Sequence, residues 1–438
     1  MLLFYKNFMR LVNVNSVLIY LLPIFLVFSR FMADLAICVC AILFLISVIK
    51  KKEWFYFSNP FFYFFFLFFF YIFVRSIFTL NIISIGTTVF YFRFGLFSLA
   101  VWHVINNNSK FLKYFFIICI SFFLILSLDA MYQYYTGHNI LGYPKHIYNK
   151  VGSFFGKTFI LGSYISKIFP IIFGIFFYKN LSFSKNKYIN LAIIFIFALS
   201  SFAIILSGER AALFLFLIYF SLMLILLKFK IIHKIIILSA LLLFLALFFL
   251  KDSKIYERYI VSVYNQIYLD KHFKEKGIQS NYNKEYFRFS VHHEAHYQVA
   301  YRMFTNNILF GQGPKMFRVL CDDSKFRFEY KYAMEIIDGC TTHPHNSYIQ
   351  LLAETGLTGA AFLILFFCYV VFKLFYNFFV FYNNKTIDNI YNYKICLLLC
   401  FFINFFPIVP NGNFFNNWLS IMYYLPMGFY LQVTKGKF

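Results

Sequence analysis

Charged residues are scarce, at 13% of the 438-residue chain against 61% hydrophobic residues. A water-soluble domain of that composition could not cover itself with polar surface, which excludes a soluble globular fold. Acidic residues are rarer still, 17 against 40 Lys and Arg, leaving a formal net charge of +23. The surplus does not describe a nucleic-acid binder, which would gather its basic residues on one soluble face. Here they fall in the gaps between apolar runs. A cleavable signal peptide is also missing. The first apolar run, Val17 to Phe28, has no small-residue cleavage site and leads directly into another, so it reads as a first membrane span. No repeat of fixed period is visible, and the Phe-rich runs read as span composition rather than a functional low-complexity tract. Cysteine is sparse, 8 in all, and mostly in apolar runs, where it serves as a small buried hydrophobe. Cys321 and Cys340 are the exceptions; in an oxidising compartment they are candidates for a disulfide.

Long apolar runs are plentiful instead. Stretches such as Phe61 to Phe70 and Ile235 to Leu250 approach or reach the roughly 20 residues that cross a hydrocarbon core about 30 Å thick. The chain therefore reads as all-α, a polytopic membrane protein with about twelve transmembrane helices. The expected spans are 14–30, 31–49, 55–75, 83–103, 111–128, 159–178, 189–206, 211–227, 232–250, 346–375, 393–409 and 416–434. Lys and Arg collect in alternate gaps, from Lys6 and Arg10 through Lys50 to Lys52, Lys110 and Lys113 to Lys435 and Lys437, which puts both termini in the cytoplasm. The organisation expected is helices one to nine over 1–250, with a short external loop near 129–158. A large, mainly helical external loop follows over 251–345, then helices ten to twelve over 346–438.

The large loop holds the polar chemistry. Its clearest helix is His292 to Asn307, where Tyr297, Ala300, Tyr301 and Phe304 fall at helical spacing and make an apolar face. The polar face would hold His292 and His296 one turn apart, with Arg302 nearby. GQGPKMFR follows; Gly311 and Gly313 lack the preceding strand and third glycine of a dinucleotide loop, so a plain turn is expected. His343, His345 and Asn346 stand just before span ten, with Asn346 placed to cap that helix and its dipole placed to face an anion. Three readings of the histidines are open: a metal site drawn from His292, His296, His343 and His345, a packing role, or a catalytic base near neutral pH. HHEAH is not H-E-x-x-H, so no spacing fixes a ligand set. Arg210, in ILSGERAALF between two apolar runs, reads either as a snorkelling helix-end arginine or as a phosphate clamp suited to its planar guanidinium. Arg75, at a span end, and Arg93, inside a span and in need of a cavity or partner, are weaker candidates.

The block FTNNILFGQGPKMFR followed by THPHNSYIQLLAETGLTGAAF resembles the signature region of the O-antigen ligase and O-antigen polymerase superfamily. That region has a Pro-x-x-Gly-x-Gly turn, a His-Asn pair and a Gln-x-x-x-Glu-x-Gly-x-x-Gly helix start; Asn307 stands where the Pro is common. LSGERAALF is similar to the family's Ser-x-Arg element. DAMYQYYTGHNILGYP with SFFGKTFILGSYI is similar to the external loop and following helix of its ligase-like members, so the resemblance runs from Asp129 to about Ala361.

The resemblance implies a bacterial inner-membrane glycosyltransferase whose large loop is periplasmic. Such an enzyme takes a glycan from undecaprenyl diphosphate and passes it to the lipid A core of lipopolysaccharide, with no cofactor and no required metal. His345 takes the place of the family's essential histidine, and Arg210 that of the Ser-x-Arg arginine. Where many members have a further arginine this chain has His293; Arg288 is the nearest candidate for a second phosphate-binding arginine, and His296 a candidate to share its task. His343, Asn346, Lys315, Arg318 and Glu354 complete the expected substrate-binding set. Lys315 and Arg318 would steady the departing diphosphate. Glu354 would orient a histidine or arginine, or else be satisfied by helix-end N–H groups. A lateral opening for the polyprenyl chain is expected near Asp129, Gln133 and Lys157. The rival within the family is an O-antigen polymerase, extending one carrier-linked glycan with another; YQYYTGHNILGYP favours the ligase. A transporter or flippase would place its polar clusters near the bilayer midplane, whereas here they lie at one surface.

Overall fold

A computed structural model describes residues 2–146, 149–178, 187–227, 253–264, 291–332, 335–382 and 389–435. The apolar runs are helices, since a backbone in hydrocarbon must satisfy each N–H and C=O within its own segment. The first nine are α1 (Leu2–Phe28), α2 (Arg30–Lys51), α3 (Pro60–Ile77), α4 (Ile82–Thr88), α5 (Phe92–Asn107), α6 (Phe111–Thr136), α7 (Leu161–Tyr178), α8 (Lys187–Leu206) and α9 (Arg210–Leu226). The large loop contributes α10 (Val291–Asn306) and a hairpin of β1 (Glu329–Tyr332) and β2 (Glu335–Asp338); α11 (Ser347–Tyr382), α12 (Asn389–Asn404) and α13 (Asn417–Lys435) complete the bundle. Among the described residues, eight helices are long and apolar enough to cross a membrane. The chain is an all-α, multi-pass membrane protein. The expected span 232–250 and Arg288 lie outside the described residues.

α12 packs on α7 and α9, and α13 on α5, so the two C-terminal helices form the middle of the bundle. The expected span 83–103 is broken into α4 and α5 around Val89 to Tyr91. Arg93, just past the break, finds the partner it needs in Asp34, 2.8 Å away on α2. α6 runs on to Thr136, eight residues beyond its expected end at 128, and stops where Gly137 takes a left-handed φ of 89°. That extension corrects the reading of Asp129 and Gln133. Both are buried rather than lining an opening. Asp129 accepts from Ile140 N at 2.9 Å and Ser153 Oγ at 2.5 Å, and Gln133 Oε1 accepts from Gly152 N at 3.1 Å and Ser153 N at 2.7 Å. They hold the loop after α6 closed on itself, while Lys157 is exposed.

The expected turn at Gly311 and Gly313 repairs a break in α11. Gly356 leaves the helix with φ 64° and ψ −167°. Leu357 N and Thr358 N therefore bond outside the helix, to the carbonyls of Ile308 (2.8 Å) and Leu309 (3.2 Å). The carbonyls of Ala353 and Glu354 in turn accept from Gln312 N (3.0 Å) and Gly313 N (2.6 Å). The polar groups freed by the kink are thus paired by the turn. Arg75 closes the joint from α3, donating to the carbonyls of Phe310 (3.0 Å) and Gly311 (2.6 Å), which gives it a structural task. Asn307 fits in place of proline because its side chain accepts from Phe310 N at 3.3 Å.

A Cβ on Gly311 would lie 2.5 Å from the Glu354 to Gly356 backbone, at a φ of +64°. Gly311→Ala should therefore cost on the order of 3 kcal/mol or more, from strain plus overpacking. Thermal unfolding of the purified protein in detergent checks this against Gly86→Ala, where nothing lies within 4 Å and no loss is expected.

Candidate functional site

α10 lies across the start of α11. The face it buries is Ala295, Val299, Ala300 and Met303, against Phe317, Phe326, Phe328 and Ala353. This differs from the expected face: Tyr301 is 61% exposed, because the helix packs through its small and flexible residues rather than its aromatic ones. The rotation also changes which histidines meet. His292 is exposed, while His293 and His296 point their rings at His345, each with centroids 5.5 Å away, and the His343 ring is 4.2 Å from it. His296 Nδ1 is 3.0 Å from the Gly339 carbonyl. Arg302 stacks over Phe328 at 5.0 Å, away from this group.

His345 has a φ of 56°, and its carbonyl accepts from Asn411 N at 2.7 Å in the loop between α12 and α13. Burial pushes its imidazole down to about 3, with His343, His293 and His296 adding to the effect. His343 is pushed down to about 4 by burial and then by Arg318. His293 and His296 are lowered mainly by burial. The four rings thus form a neutral, proton-accepting cluster at physiological pH. They are not gathered as a ligand set: among the described residues the one group of metal-type ligand atoms within 4.8 Å is Cys321, Asp322 and Cys340. Cys321 and Cys340 are joined as a disulfide with Cα atoms 4.9 Å apart, tying the turn after Phe317–Leu320 to the strand end that leads into His343.

Two expected substrate contacts turn inward. Asn346 caps α11, accepting from Tyr348 N (2.9 Å) and Ile349 N (3.1 Å), and donates to the Pro407 carbonyl at 2.7 Å. Its amide is committed at both ends. Glu354 is fully buried and accepts from Phe317 N (3.2 Å) and Gln350 Nε2 (3.0 Å), so it anchors the segment after the Gly turn. Arg318 stays near enough to His343 to lower it, and Lys315 is half-buried and lowered by burial and then by Arg318.

Arg210 opens α9, and its Nε donates to the Arg258 carbonyl at 3.2 Å. Arg258 Nε donates to the Gly208 carbonyl at 3.0 Å, and Tyr259 Oη to the Ile205 carbonyl at 2.9 Å, so residues 253–264 strap the α8–α9 turn. Lys150 completes the cluster: a Cβ on Gly208 would sit 3.1 Å from Lys150 Cγ and 3.7 Å from Arg258 Nε. Burial and the neighbouring Arg258 and Arg210 lower the Lys150 ammonium, against the pull of Glu209. Glu209 itself accepts from Gly162 N (2.6 Å), Ser163 N (3.2 Å) and Ser163 Oγ (2.5 Å), and desolvation lifts its carboxyl to about 7. Sequence reading missed Lys150 and Arg258, since nothing local separates them from the other basic residues; only tertiary contact marks them.

The cationic and histidine clusters lie at the same end of the bundle. Tyr391, near the start of α12, bonds the Leu226 carbonyl at the end of α9 (3.1 Å), so the two helices run antiparallel and Arg210 lies toward the α12 end. From that end, Tyr348 Oη reaches the Phe405 carbonyl (2.6 Å) and Asn411 reaches His345. Residues 195–364 match the family model described as O-antigen ligase. Comparison with curated proteins gives no match. The matched residues include Arg210, Arg258, α10, the Gly turn and the four histidines, so both clusters fall within the match apart from Lys150. The match supports a function of the ligase or polymerase type in general.

Proposed function

We propose that the protein is an O-antigen ligase of the bacterial inner membrane, transferring a glycan from undecaprenyl diphosphate to the lipid A core at the periplasmic face. The observation that carries this reading is the common end of the bundle shared by Arg210 and His345, linked through α12 and Asn411. A transporter would need polar groups along a path through the membrane. In the proposed step the acceptor hydroxyl attacks the anomeric carbon, the bond from that carbon to the diphosphate oxygen breaks, and His345 takes the hydroxyl proton. The diphosphate leaves with negative charge, which Arg210, Arg258 and Lys150 are suited to hold, and their effect is largest where charge develops. His345 later returns its proton to water. Arg258 and Lys150 offer cationic positions beside Arg210 in addition to Arg288, which lies outside the described residues.

Deleting the gene tests this reading on a lipopolysaccharide gel. The expected result is core without polymer, together with accumulated long carrier-linked glycan. Core bearing a single repeat would assign a polymerase instead.

A further inference from the structure

We infer that Lys167 is a positioning residue for the transfer step, its buried ammonium keeping the turn of Arg210 and the loop of His345 in register; the inference rests on the proposed reaction. Lys167 is six residues into α7, about 9 Å along the axis at roughly 1.5 Å per residue. It is only 6% exposed. An ammonium at that depth is costly unless it has a partner and a task. Helix packing does not supply the task. α7 and α12 already fit closely at Gly174, where a Cβ would lie 2.9 Å from Cys396 Cβ. Cys400 Sγ also donates to the Lys167 carbonyl (3.4 Å), a bond that does not depend on the side chain at 167.

The ammonium reaches in two directions. Toward His345, Nζ donates to Asn404 Oδ1 at 3.0 Å, at the last residue of α12, and lies 5.9 Å from the ring centroid of Tyr423 on α13. Tyr423 grips the loop that joins those helices. Its ring meets Phe405 (4.7 Å between centroids) and Phe414 (5.8 Å), and its Oη accepts from Asn411 Nδ2 (2.9 Å). Asn411 in turn holds the His345 carbonyl. Toward Arg210, Lys167 follows Ser163 by four residues and shares its face of α7. Ser163 N and Oγ both donate to Glu209, the residue before Arg210, and the charge of Glu209 reaches the Lys167 ammonium. The supports of both clusters therefore meet at one cation. Loss of that register costs the chemical step rather than substrate binding.

The test is steady-state transfer by the full-length protein in proteoliposomes. Lys167→Met keeps the length of the side chain and removes its charge. The expected result is a kcat lowered ~10- to 100-fold, with KM for the donor within about twofold of wild type. In a His345→Asn background the same substitution should cost nothing further, because no base remains to be aligned; a loss of general structure would multiply through. Lys167→Met/Asn404→Leu removes both buried partners together, so it should unfold in detergent at the wild-type temperature and show the same fall in kcat. Amide hydrogen exchange across 405–416 should rise in Lys167→Met. Wild-type kcat in Lys167→Met, a raised KM with kcat unchanged, or the full further loss in the His345→Asn background would overturn the proposal. Failure of the reaction itself looks different: the wild type transfers nothing, while exchange across 405–416 still rises in Lys167→Met.

Discussion

His345→Ala is expected to lower glycan transfer by on the order of 10² to 10⁴, the range a positioned general base contributes, with membrane insertion unchanged. The backbone at His345 is left-handed, φ 56°, so alanine there adds strain to the loss of the imidazole. His345→Asn separates the two effects. Asparagine tolerates that conformation and offers no comparable base, so it should be as inactive as alanine while unfolding at the wild-type temperature. The pH profile follows from the environment of the ring. Burial and three neighbouring imidazoles lower the free enzyme's His345 to about 3, so the base stays unprotonated well below its ordinary pKa. kcat/KM should then stay flat from neutral pH down to about 5. The donor diphosphate adds negative charge beside the ring and favours its protonated form, so the acid limb of kcat should sit at higher pH than that of kcat/KM. A common limb near the ordinary histidine value, or wild-type transfer by His345→Asn, would contradict the assignment.

Arg210→Ala carries the next largest effect, a loss of about 10² to 10³ in kcat, as expected when one preorganised donor to a developing anion is removed. Arg210→Lys should recover part of it, since an ammonium keeps the charge and gives up the planar fork. Arg258 lies against Arg210 through its carbonyl, so in the proposed reaction the two would act on one anion rather than separately. The double alanine variant should accordingly lose less than the product of the single losses. Steady-state kinetics on the four proteins checks this; wild-type kcat in Arg258→Ala would reduce that residue to a backbone strap.

The membrane spans were legible in the sequence because apolar length alone fixes them, and the ends of α2, α7, α8 and α13 fall within two residues of expectation. Legibility ends where a tertiary contact decides. α6 continues past Leu128 because Asp129 and Gln133 find backbone partners in the next loop, a pairing no periodicity encodes. The Gly311 and Gly313 turn was expected, but its docking into the break at Gly356 depends on two segments more than forty residues apart. Within the site, the spacing of HHEAH suggested His292 with His296. The rotation of α10 onto Ala295, Val299 and Met303 selects His293 instead. Arg258 and Lys150 carry no local signature, and they join Arg210 only through the folded α8–α9 turn.

The most direct test of the central claim is transfer in proteoliposomes holding the purified full-length protein, undecaprenyl-diphosphate-linked glycan and lipid A core. Glycan-bearing core, an equal amount of released undecaprenyl diphosphate, and loss of both in His345→Asn and Arg210→Ala are expected. Carrier-linked glycan that grows longer while the core stays bare, or full transfer by either variant, would contradict it.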